Sequence, residues 1–257
     1  MVTGELSNSS SAGIGPFGTL VGGAAHHVPF GAEAEGLVIF MGGKYAPLLG
    51  TWDDQTWADF TNLTVYDPGQ EKWYWQETTG ARPSARDLFR VVGVSGDNGT
   101  YEIFLYGGRP FSTTKAVGEV YILSLPGFVF FRATPEFSDG ATRDKPACVV
   151  AGKRQMITFA GNDGSLGFPD SLLDPDPWTN GLGVFDLTAL TWKNGYDAGV
   201  ARYESPNPVK EWVCIGRPGV SDMVEQCVEE TVSRPKQHIA TLARQQRGHI
   251  SQQPAQL

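Results

Sequence analysis

Three apolar runs in this chain stop at glycine, and each is followed by the same pair of aromatic positions. The runs are "GLVIFMGG", closing on Gly42 and Gly43, "YEIFLYGG", closing on Gly107 and Gly108, and "QMITFAGN", with Gly161. A second strand-like run follows each one, with Tyr66 in "LTVYDP", Tyr121 in "GEVYILSL" and Phe185 in "GLGVFDLT". Another ring stands seven residues beyond each: Trp73, Phe128 and Trp192. From Gly43 to Gly108 is 65 residues, and from Gly108 to Gly161 is 53. Recurrence on that scale marks an array of supersecondary units, each too small to bury its own core.

The hairpin closing each unit carries the physics. The segments "DPGQEK", "ILSLPG" and "DLTALT" occupy matching positions, with Pro-Gly supplying turn residues in the first two. Across such a loop facing residues differ by an odd number, so Tyr66 and Trp73, Tyr121 and Phe128, and Phe185 and Trp192 are expected to share one sheet face. The glycines let rings approach the backbone and allow positive φ where the strand ends. An earlier strand precedes each run, within 22–31, 87–96 and 145–152. Each unit is therefore expected to be a four-stranded antiparallel sheet, a to d, the blade of a β-propeller. With 32 glycines, 17 prolines and 40% apolar residues, the composition suits short strands and tight turns.

Glycine pair, Tyr and Trp, with an arginine ahead of strand a (Arg86 and Arg143), resemble the kelch repeat, and "IFLYGG" and "VYILSLPGF" are similar to the fungal kelch proteins. The resemblance covers about residues 19–197. The third unit keeps one glycine, and the second has Phe for Trp. The implied fold class is all-β: a partial kelch β-propeller of about three four-stranded blades, over about 19–80, 81–136 and 137–200. Residues 1–18 are expected to be a disordered lead-in, and 201–257 an extended segment with a flexible or partly helical tail. Within the latter, "YESPNPVKEWV" at 203–213 is expected to be extended, and a helix is expected to start at Ser221 or Asp222. An arc of three blades leaves an apolar face at each end, so self-association through the end blades is expected. The resemblance suggests a secreted or cell-surface setting for an intact relative. No signal peptide or membrane segment is legible here, so the chain reads as a fragment of a longer kelch protein.

Chemistry is sparse. A formal charge of −8 argues against nucleic acid, which requires a basic stripe. Cys148, Cys214 and Cys227 are too few for a disulfide framework or zinc site, and Cys148 in "PACVV" reads as a buried free thiol. "GIGPFG" at 13–18 matches a dinucleotide fingerprint but lacks the preceding strand and following helix. His26 and His27 are adjacent, so on a strand they point to opposite sides and cannot chelate together. Neither a metal nor a cofactor is expected. The loop with Asp170, Asp174 and Asp176 reads as solvated. Asn8, Asn62 and Asn98 head glycosylation sequons.

Antiparallel order places the b–c and d–a loops on one face. Tyr45, Trp52, Trp57, Phe168 and Trp178 lie in the b–c loops, and Arg86, Arg109 and Arg143 near them. Aromatics with arginine are the usual material of interaction hot spots. The expected role is a non-catalytic kelch module binding an unknown protein or glycan. The resemblance leaves two alternatives: a fragment of a galactose-oxidase-like or sialidase-like enzyme whose active site is elsewhere, and an intracellular kelch scaffold.

Overall fold

The computed structural model describes residues 19–29, 35–46, 56–96, 99–113, 115–134, 142–163, 176 and 178–215. They are mostly β, in antiparallel sheets, with one short α-helix. The first unit runs through β1 (Leu20–Val21), β2 (Ala24–Val28), β3 (Leu37–Met41), β4 (Lys44–Tyr45), β5 (Thr56–Trp57), β6 (Asn62–Asp67) and β7 (Lys72–Glu77). Next come β8 (Thr79–Gly80) and β9 (Arg86–Asp87), then β10 (Arg90–Ser95), β11 (Tyr101–Tyr106), β12 (Arg109–Pro110), β13 (Val120–Leu125) and β14 (Val129–Arg132). The third unit holds β15 (Ala147–Ala151), β16 (Gln155–Phe159), β17 (Leu182–Asp186) and β18 (Thr191–Lys193), and α1 (Asn207–Ile215) follows. Three main sheets are ordered β2-β3-β6-β7, β10-β11-β13-β14 and β15-β16-β17-β18, beside the small sheets β1-β4-β5 and β9-β12. β8 adds itself parallel to β14, so the chain leaving the first sheet also edges the second.

The closing hairpins share one geometry. Each has a four-residue loop, 68–71, 125–128 or 187–190, whose last residue is left-handed: Glu71 (φ 53°), Phe128 (φ 50°) and Leu190 (φ 55°). Asp67 and Asp186 open two of them. Asp67 Oδ1 accepts from the Gln70 amide at 3.0 Å, and Asp186 Oδ1 from Thr188 and Ala189 at 3.0 and 2.9 Å. Tyr66 faces Trp73 and Phe185 faces Trp192, as expected.

The second hairpin corrects the expectation for Tyr121 and Phe128. Tyr121 faces Arg132, and Phe128 ends the loop without pairing. The expected alignment would put Pro126 at the left-handed position, but its ring fixes φ near about −65°. The loop therefore sits two residues later, and Leu123 opposite Phe130 takes the place of Tyr66 opposite Trp73. A shift of two preserves the face, so Tyr121 still points to the same side as Leu123.

The middle sheet is buried on both sides, which is why "YEIFLY" reads as one apolar run. Ile103 and Leu105, with Leu123 and Phe130, pack against Ile39, Met41, Leu63 and Val65 of the first sheet. Phe104, Tyr106 and Ile122 pack against Met156 and Phe185 of the third. Glu102, also fully buried, accepts from the Tyr203 hydroxyl at 3.2 Å and from Ser205 at 3.3 Å.

Segment 203–213, expected to be extended, is irregular to Pro206 and helical from Asn207. The Val209 and Lys210 amides both donate to Pro206 O at 3.0 Å, and Pro208 sits in the first turn, where its missing N–H costs nothing. Val209 and Val213, one turn apart, lie against the second core cluster. Trp212 stacks edge-on near Phe131, with ring centres 6.5 Å apart. The helix closes over the seam between the second and third sheets.

Candidate interaction surface

One edge of all three sheets is built by the same device. The segment ahead of strand a pairs with the residues after the glycines: Val21 with Lys44, Asp87 with Arg109, Asp144 with Asn162. The b–c and d–a connections thus share one face. Neighbouring units are joined there by backbone bonds at 2.8 Å, Gly43 N to Arg86 O and Gly108 N to Arg143 O. A second series links Leu88 N to Gly22 O at 2.8 Å and Lys145 N to Leu88 O at 2.7 Å. The glycine pairs have φ of 53° and 82° (Gly42, Gly43) and 74° and 89° (Gly107, Gly108). In the third unit Ala160 (φ 58°) and Gly161 (φ 78°) keep the shape, so only the second position demands glycine in all three.

A cation after each of the first two glycine pairs reaches an aspartate of the next unit. Lys44 Nζ lies 2.9 Å from Asp87, and Arg109 pairs with the fully buried Asp144. Sequence reasoning missed these aspartates. Their signal is the repeated Arg-Asp dipeptide, Arg86-Asp87 and Arg143-Asp144.

The arginines divide by burial. Arg86 is fully buried, bonded to Glu119 at 2.6 Å and to Gly107 O at 3.3 Å, with its guanidinium 5.3 Å from the Tyr121 ring. Glu119 also takes Arg132 at 2.6 Å. Arg143, 3% exposed, bonds Asp176 at 2.9 Å and stacks 4.1 Å over Trp178, which lies on Trp192. Both are internal struts, placed where they hold the face together instead of presenting a free guanidinium. Arg109 is the more accessible of the three.

What the face does present is aromatic. Trp57 on β5 stands edge-on to Phe111, with ring centres 5.5 Å apart, and Lys44 Nζ sits 4.4 Å from the Trp57 ring centre. Phe111 is 69% exposed, although its backbone N–H is anchored to Ala85 O at 2.8 Å. Phe111 was not among the expected contact residues. Its place two residues past Arg109, in "GGRPF", was the available clue. Tyr45, on β4, is partly buried, and burial raises its hydroxyl pKa.

Trp52, Phe168, Asn8, Asn98, Asp170 and Asp174 lie outside the described residues, as does the expected helix at Ser221 or Asp222. Asn62 is exposed at the start of β6. His26 bonds the Tyr101 hydroxyl at 3.0 Å, and His27, on the opposite side of β2, bonds Glu35 O at 2.8 Å. Cys148 is a free, partly buried thiol, pushed up to about 11 by burial. Among the described residues no three His, Cys, Asp or Glu side chains are grouped to hold a metal ion, and no helix is long and apolar enough to cross a membrane.

The chain is similar to a kelch repeat-containing protein of Arthroderma benhamiae, 28% identical over 188 residues. That match covers 69% of this chain but 26% of the relative, so the chain spans about a quarter of that protein's length. No protein-family model matches. Among solved structures it is similar to a fungal alcohol oxidase of the AA5 family in complex with copper. Identity there is 16% and the TM-score 0.36, with 73% of this chain and 45% of the other covered.

Proposed function

We propose that the three sheets are blades of a partial kelch propeller acting as a non-catalytic interaction module. It engages a protein or glycan partner through the face carrying the b–c and d–a loops. The observation that carries this reading is the Lys44–Trp57–Phe111 cluster, where an exposed ring is held by an anchored backbone and a cation-backed tryptophan. Rigid aromatic area beside a cation suits both a sugar ring and a peptide side chain, and little entropy is lost on contact. The struts beneath, Arg86–Glu119 and Arg143–Asp176, keep that surface in place without being part of it.

The test is binding to arrayed glycans and to a displayed peptide library, with Phe111→Ser and Trp57→Ala measured beside the parent chain. The expected result is at least about a tenfold loss of affinity for each variant, the scale of a hot-spot residue. Gln70→Ala, in the 68–71 loop of the first hairpin, should bind as the parent does. Retention of binding by Phe111→Ser and Trp57→Ala, or equal loss in Gln70→Ala, would refute the assignment.

A further inference from the structure

The outer sides of the two end sheets carry opposite halves of one repeated interface, partly buried on the first sheet and exposed on the third. In each internal junction the face bearing the c–d pair, Leu123–Phe130 or Phe185–Trp192, looks back onto the preceding unit. Phe185 and Trp192 pack toward the second sheet, and Leu123 and Phe130 toward the first. By the same register Tyr66 and Trp73 of the first sheet look away from the molecule, together with Phe40, whose ring lies 5.5 Å from Trp73. At the other end the outward face of the third sheet carries Val149, Phe159 and Leu182, exposed by 52%, 45% and 46%. Its lower part takes chain polar groups, Gln155 bonding both the N–H and the C=O of Asp197.

We propose that two copies of this chain associate head to tail, the Tyr66–Trp73 face of each against the Val149–Phe159–Leu182 face of the other. Two copies supply six units, inside the range of about four to eight that closes a propeller. The backbone series has matching ends. Continuing Leu88 N to Gly22 O and Lys145 N to Leu88 O, the next bond joins Gly22 N of one copy to Lys145 O of the other. Continuing Gly43 N to Arg86 O and Gly108 N to Arg143 O, Gly161 N meets Leu20 O.

Charge follows the same logic. Internal junctions pair Lys44 with Asp87 and Arg109 with Asp144. At the new junction the cation position holds Asn162 and the aspartate position Val21. Both are neutral, so docking strands no ion. A charge on only one of them would be left unpaired and buried, at high cost. A head-to-tail contact closes into a ring when its rotation permits and otherwise grows into a filament, and the proposal is the closed pair.

The experiment is the mass of the full chain in solution by sedimentation across a concentration series, with single-end variants. The parent should show twice the 27.8 kDa chain mass. Phe159→Asp and Trp75→Asp each spoil one end, Trp75 lying two residues beyond Trp73 on the same side of β7, and each variant should be monomeric. Mixed one to one, they should recover a dimer through the remaining intact pair of ends. Val149→Glu repeats the third-sheet test at a more exposed site, and unfolding midpoints check that every variant folds. A monomeric parent, a dimer that survives Phe159→Asp alone, an open-ended polymer, or no recovery on mixing folded variants would each overturn the proposal.

Discussion

A Cβ added to Gly108 would stand 2.5 Å from Asp87 O, in a backbone already at φ 89°. Gly108→Ala should therefore cost roughly 1–3 kcal/mol in denaturant unfolding, from strain and from loss of the fit between units. Gly195→Ala, where nothing lies within 4 Å, should change stability little. His26 provides a pH signature. Burial, and then the charge of His27, lower its pKa below 6.5. The unfolded chain then binds more protons between the folded value and 6.5, so this contribution is full above 6.5 and falls as pH drops through that window. His26→Gln should lose less stability on acidification from pH 7 than the parent, measured by denaturant midpoints; equal losses would remove His26 as a cause. At this scale glycine pairs and ring positions were legible because their spacing recurs. The left-handed residue of the second hairpin was not, because Phe128 gives no local sign of positive φ; only Pro126 excludes the neighbouring frame.

The strands follow from alternation and glycine stops: the a, b and c strands form where their runs stand, while the d strands were marked by one ring each, of which Phe128 falls in the loop before β14. What escaped is what tertiary contact creates. β8 is two residues long and exists by pairing with Val129 and Phe130. α1 opens on "NPVK", where two nearby prolines suggest extended chain, and Val209 with Val213 makes it a helix by burying one side. The hairpins carry the prediction proper to this scale. Asp186 is 2% exposed, accepts two loop amides and pairs with Arg154 at 2.9 Å. Asp186→Ala should destabilise by about 1–3 kcal/mol because those donors and the arginine lose their acceptor. Asp186→Asn keeps an acceptor oxygen and should lose less, and calorimetric midpoints of the two variants decide this.

Across the whole molecule, the recurrence at 65 and 53 residues made three units legible, while the bonds between them were not. Lys44 and Asp87, or Arg109 and Asp144, are far apart in sequence and belong to no hydrophobic period, so only the folded arrangement pairs them. Those bonds matter for the proposed function because the loop face crosses unit boundaries. Phe111 of the second unit rests on Trp57 of the first. A surface so composed exists only if the units behave as one body. Calorimetry of the full chain decides this: a single body gives one transition whose calorimetric and van't Hoff enthalpies agree, both counted per cooperative unit of the measured mass. Two or three separable transitions would contradict it, because the units would then melt independently and the shared face would not persist.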